Sequence, residues 1–173
     1  MPSATTALPK PNLPLPPAFG RGQTLSFYQK TIMTPDPETQ PQFYDGIPLK
    51  RLLAWIVDMI LICLLCVMIL PFTAFSGVFF FPFLILVVGF VYRWATLAAG
   101  SATWGMRLMA MEIRRGDDRP LDGPTALMHT LGYSVSFAFP VLQIISVVLM
   151  FTSARAQGLT DVVLGTVAMN RRR

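Results

Sequence analysis

Asp58 is the residue that most constrains the chemistry open to this chain. It sits in the apolar stretch Leu52 to Leu70, whose other members are almost all Leu, Ile, Val, Cys and Met. An ionised carboxylate near the middle of a membrane span costs roughly 2.5 to 3.5 kcal/mol on insertion scales. Such a residue faces a partner, a cavity or an ion path. Arg51 precedes it by seven residues on the same helix face, a rise of about 10 Å, so contact needs both side chains stretched along the helix. Arg93 is the better match. Asp58 lies eight residues inside Lys50, about 12 Å deep, and Arg93 lies seven residues before Gly100, about 10 Å deep on an antiparallel neighbour. The sequence therefore predicts an interhelical Asp58–Arg93 pair, with Arg107 as a further member. The apolar runs hold no second acid, so the pair is expected to lock two helices rather than to form a proton or ion site.

Other reactive residue types carry less. His129 can titrate near neutrality, but it stands alone at the start of an apolar run and is expected as a hydrogen-bonded interfacial residue. Cys63 and Cys66 match a CxxC spacing, yet that motif needs a helix N-terminus to lower a thiol pKa. Inside a span they are expected as small apolar fillers. Met106, Met109 and Met111 are read as packing, and Trp55, Tyr92 and Trp94 as interfacial aromatics. No His, Cys or carboxylate set has metal-ligand spacing, and no phosphate loop, nucleophile elbow or HExxH is present. No cofactor and no enzymatic activity are expected.

The elements that must position these residues follow from where charge is missing. Of 173 residues, 53% are hydrophobic and only 13% charged, against about 25% charged in a soluble domain. Met59 to Tyr92 carries no formal charge, and Gly123 to Ala154 carries none beyond His129. Each run exceeds the roughly 20 apolar residues that cross a hydrocarbon core. This excludes an ordinary soluble enzyme and a disulfide-stapled secreted domain. It also argues against nucleic-acid binding, despite a net charge of +5.

Spans are expected at about 52–70, 79–98 and 124–152. Pro71, Ser76 and Gly77 mark a short turn between the first two, and Pro82 falls in the first turn of the second. They form an antiparallel hairpin. The third run is too long for one crossing and too short for two, with Pro140 near its middle. It is read as a broken or re-entrant helix pair turning at Phe139–Pro140, in preference to a plain third crossing. Ahead of these, residues 1–45 are dense in proline and are read as a disordered cytoplasmic tail. Within that tail, Leu13 to Pro17 is read chiefly as linker and secondarily as a polyproline docking segment. Residues 46–170 form the membrane domain, and 171–173 a basic terminus.

The fold class is thus an all-α membrane protein with a small cytoplasmic β-pair. Lys50 and Arg51 flank the first span, and Arg107, Arg114, Arg115 and Arg119 follow the second, which places the N-terminus and the central polar segment inside. Pairing of Met109–Ile113 with Gly165–Met169, both strand-like, keeps the terminal arginines on that same side.

Three segments carry a family resemblance. Arg51-Leu52-Leu53-Ala54-Trp55-Ile56-Val57-Asp58 resembles the opening R-x-x-A-x-x-x-D of the RDD family of bacterial membrane proteins. Gly100-Ser101-Ala102-Thr103-Trp104-Gly105-Met106-Arg107-Leu108 is similar to its G-x-T-x-G-K-R-L segment. Gln157 to Val167 is similar to its closing W-H-D-x-x-A-G-T-x-V. The resemblance covers about Asp45 to Asn170 and implies Arg51, Asp58 and Asp161 as the family charge motif. Met106 stands where the family has Lys, and Gly158-Leu159-Thr160 where it has Trp-His. Arg93 lies outside the family pattern. Asp161, at the cytoplasmic edge, is expected to cap a helix or to pair with Arg51 or Arg107.

The resemblance implies an inner-membrane protein, in a family for which transport has been suggested. Two functions follow. One is a structural or accessory subunit that contacts the lipid bilayer and a membrane-protein partner or a second copy of itself. The other is a small oligomeric proton- or cation-coupled transporter using Asp58, since three short segments cannot enclose a pathway alone.

Overall fold

The computed structural model describes residues 34–73 and 78–172. It is mostly helical. Two helices are long and apolar enough to cross a membrane, α1 (Ile47–Ile69) and α2 (Phe81–Gly100). Proline lies in the first turn of each, where a missing N–H is harmless. Their outward faces carry Leu64, Met68, Phe83, Leu86 and Val91 in exposed positions, as lipid contact requires. The inward line of α1 is Ala54, Asp58, Ile62 and Cys66, one residue per turn. Gly89 of α2 lies against Ile62, so the two helices approach closely there.

The third apolar run is broken as expected. Helix α4 (Gly123–Ala138) and helix α5 (Pro140–Thr152) meet at an angle of 115°. The break is local chemistry. Phe139 precedes proline, which disfavours helical backbone, and it is extended at φ −113° and ψ 102°.

Between α2 and α4 lie a five-residue helix, α3 (Trp104–Leu108), and strand β1 (Met111–Arg115). After α5 come α6 (Leu159–Leu164) and strand β2 (Thr166–Asn170). Gly165, at φ +63°, makes the left-handed turn between these last two. The strands pair antiparallel, from Met111 opposite Asn170 to Arg115 opposite Thr166. The predicted strand pair is therefore present, shifted by one or two residues.

This ribbon is buried on both faces. Met111, Ile113 and Ala168 pack with Ile47, Leu97, Ala102 and Ala126 at the ends of the long helices. Val167 and Met169 pack with Tyr44 on the other face. Proline density suggested a tail as far as residue 45, of which residues 1–33, with Leu13–Pro17, lie outside the described residues. Residues 34–45 instead cover the sheet. Thr34 and Tyr44 are buried, and Tyr44 donates to the Pro35 carbonyl at 2.6 Å. Asn170 Nδ2 donates to the Gln42 and Asp45 carbonyls. The helical chain also starts five residues earlier than expected, at Ile47, and Lys50 donates to Asn170 Oδ1 at 2.6 Å.

Candidate functional site

Asp161 anchors the first of two buried carboxylate centres. It stands three residues after Gly158, at the third position of α6, where its Oδ2 accepts the Gly158 N–H at 3.1 Å. That is the reach-back half of a capping box. Arg51 of α1 donates to the same oxygen. Oδ1 accepts from Thr166 Oγ1 of β2 at 2.9 Å and lies 3.0 Å from His129 Nε2 of α4. One carboxylate, 1% exposed, thus binds four donors from four elements. Burial pushes its pKa up, but Arg51 and then His129 outweigh burial and hold it well below the usual carboxylate range. An ionised carboxylate only accepts, so Nε2 of His129 is the donor in this contact. Its Nδ1 is buried and has no hydrogen-bond partner among the described residues.

Asp58 anchors the second centre. Its Oδ1 accepts from Tyr92 Oη at 2.7 Å and from the Gly105 amide at 2.9 Å. Its Oδ2 accepts from Thr103 Oγ1 at 2.6 Å. Thr103 is also the N-cap of α3, accepting from the Met106 amide at 3.2 Å. Tyr92 Oη in turn accepts from the Trp104 amide at 3.2 Å. Asp58 therefore fastens the start of α3 to α1 and α2. Gly105 is required for this approach. A Cβ there would fall 2.8 Å from Asp58 Oδ1 and collide with the Ala54 carbonyl.

The predicted site residues separate into these two centres. Arg51 and Asp161 pair directly, whereas Arg51 and Asp58 do not meet. The Asp58–Arg93 pair is present but loose, with Arg93 Nη2 at 4.0 Å from Oδ2. Asp58 is held mainly by hydroxyls and an amide instead, and Arg93 lies over the Tyr133 ring at 3.8 Å. Arg107 does not join them. It lies over Trp104 at 5.0 Å and against Gly100.

His129, expected as a solitary interfacial residue, is a full member of the Asp161 centre. The signal for it was the polar stripe His129, Thr130, Tyr133 and Ser136 at helical spacing on α4. Tyr92, Thr103 and Gly105 were missed as Asp58 partners. Tyr92 was expected in an aromatic belt and Trp55 likewise. Trp55 donates to Tyr133 Oη at 2.9 Å, joining α1 to α4. Cys63 and Cys66 are free thiols. Among the described residues, no group of three His, Cys, Asp or Glu side chains could hold a metal.

A cleft of about 580 Å³ opens between these centres. Arg51, Asp58 and Arg93 line it together with apolar side chains of α1, α4 and α5.

Apolar helices built around buried arginine–carboxylate contacts define a small membrane protein. The chain belongs to the RDD family, whose sequence model matches residues 47–165. Neither a curated protein nor a solved structure matches it. The matched region holds the Arg51, Asp58 and Asp161 motif and both centres apart from Thr166.

Two outcomes follow from the geometry. Gly105→Ala should destabilise the protein by about 1–3 kcal/mol through overpacking in denaturant titrations in detergent micelles. Gly123→Ala, where a Cβ meets open space, should not. The second outcome concerns acid. Asp161 has a folded pKa below its unfolded value, so its stabilisation is present above that unfolded value, about 3.9, and drains as pH falls toward the folded one. The stability gap between the native protein and Asp161→Asn should therefore shrink as pH drops below about 4. A gap that widens on acidification would contradict this.

Proposed function

We propose that this protein is a non-catalytic accessory subunit of the bacterial cytoplasmic membrane, in which the family charge motif is architectural. The observation that carries this reading is that the chain's own donors hold both motif aspartates. Asp58 accepts three hydrogen bonds and Asp161 binds four donors, all from the chain itself. A carboxylate that shuttles protons or ions needs an open coordination position; Asp161 has none, and Asp58 keeps a single one on Oδ2. The same contacts connect α1 to α3, α4, α6 and β2. What the scaffold then offers to lipid or to a partner protein is the apolar outer face of α1, α2 and α5.

Orientation follows from charge. Arg51, Arg107, Arg114, Arg115 and Arg119 flank the spans at the end where β1 pairs with β2. The positive-inside rule assigns that end to the cytoplasm. The N-terminus is then cytoplasmic. The pairing of strands on either side of the bent α4–α5 unit supports a re-entrant segment.

A second reading, a small oligomeric transporter, draws support from the cleft, which Asp58 and Arg93 both line. The two readings part in proteoliposomes loaded with a pH-sensitive dye. The architectural reading predicts proton and sodium flux no higher than in protein-free vesicles. Flux in the native protein that disappears in a folded, monodisperse Asp58→Asn variant would overturn it.

A further inference from the structure

Arg93 is a buried arginine held by one loose ion pair. Its side chain is only 6% exposed and lines the cleft. It stacks on Tyr133 and approaches Asp58 at 4.0 Å, yet it donates no hydrogen bond among the described residues. A guanidinium carries five N–H donors, and burying charged donors without acceptors is costly. Arg51, on the same cleft, leaves its Nε buried without an acceptor as well. Of the acceptors nearby, Asp161 is filled, and Asp58 Oδ2, which accepts from Thr103, stands 4.0 Å from Arg93 Nη2, beyond hydrogen-bond reach. Asp58 serves Tyr92, Thr103 and Gly105, and Asp161 serves Arg51, Thr166, Gly158 and His129. The Arg93 donors on the cleft are therefore untaken by the chain, and a ligand that complements them brings anionic oxygens. Phosphate and carboxylate are the groups that a guanidinium fork binds best.

The walls specify the rest of the ligand. Leu52, Trp55, Phe137, Val147 and Phe151 line the cleft. Of these, Leu52, Phe137, Val147 and Phe151 are 40–73% exposed. In a membrane those exposed surfaces meet acyl chains. A volume of about 580 Å³ falls within the usual range for small-molecule sites. We propose that this cleft binds one anionic amphiphile drawn from the bilayer. Its phosphate or carboxylate head sits on Arg93, and its chain lies along Leu52, Phe137 and Val147. This goes beyond the architectural reading and does not depend on it, because Arg93 lies outside the family motif.

Trp55 lines the cleft and serves as the reporter. In a Trp94→Phe, Trp104→Phe background it is the sole tryptophan. The full chain in phosphatidylcholine nanodiscs is titrated with dibromostearate, with brominated phosphatidate, or with brominated phosphatidylcholine as the zwitterionic control. The anionic quenchers should act at a mole fraction about tenfold lower than the control, the worth of one charged hydrogen bond. Arg93→Gln should abolish that preference. Val147→Phe fills the cleft while keeping Arg93, and it should also abolish it, so the test survives if Arg93→Gln does not fold. Equal quenching by all three lipids would overturn the proposal. So would a preference that persists in folded Val147→Phe. Displacement of the anionic quenchers by inorganic phosphate would mean a free anion is the ligand, and would overturn the amphiphile.

Discussion

The contact between Arg51 and Asp161 is the constraint on which the rest of the structure depends. It joins the first turns of α1 to a helix 110 residues later, and through the same carboxylate it reaches His129 of α4 and Thr166 of β2. A buried ion pair adds little net stability over a well-packed apolar substitute, but removing one partner is severe. Its role here is to select one arrangement. Apolar helices slide against one another with little penalty in lipid, because packing there is not directional. A carboxylate with four donors from four elements permits one register.

Asp58 applies the same device one and a half to two turns deeper. It holds the start of α3 to α1, and α3 leads into β1. Asp161 holds α6, which leads directly into β2. The two aspartates thus deliver the two strands to each other. The ribbon closes over the ends of α1, α2 and α4, with residues 34–45 on its far side. Arg93 lines the cleft between α1 and the bent pair, 4.0 Å from Asp58 and without a hydrogen bond among the described residues, which leaves its guanidinium donors facing that cleft.

Legibility in the sequence followed the range of the physics. The helix break at Phe139–Pro140 was readable because the residue before proline is restricted locally. The hairpin and the strand pair were readable from hydropathy and β-branched composition. Asp58 and Arg93 were matched by depth, and they do sit side by side. Their looseness was not readable, because the donors that occupy Asp58 are two hydroxyls and an amide, groups with no signature in charge patterning. Arg107 was drawn toward Asp58 on charge alone, while the Trp104 ring next to it in the chain takes it instead. His129 looked solitary because its partner lies 32 residues away. Residues 34–45 looked like a tail because prolines break helices and strands, but they do not prevent a segment from lying across a sheet.

Arg51 and Asp161 act as a unit, and a double-mutant cycle measures that directly. Arg51→Met, Asp161→Asn and the double variant are compared by denaturant titration in detergent micelles. The predicted coupling energy is about 2–3 kcal/mol, the upper end for groups sharing one buried network. The double variant should lose little more than either single one. Additive losses, with coupling within about 0.5 kcal/mol of zero, would mean that the two residues act independently and that their contact does not set the arrangement of the helices.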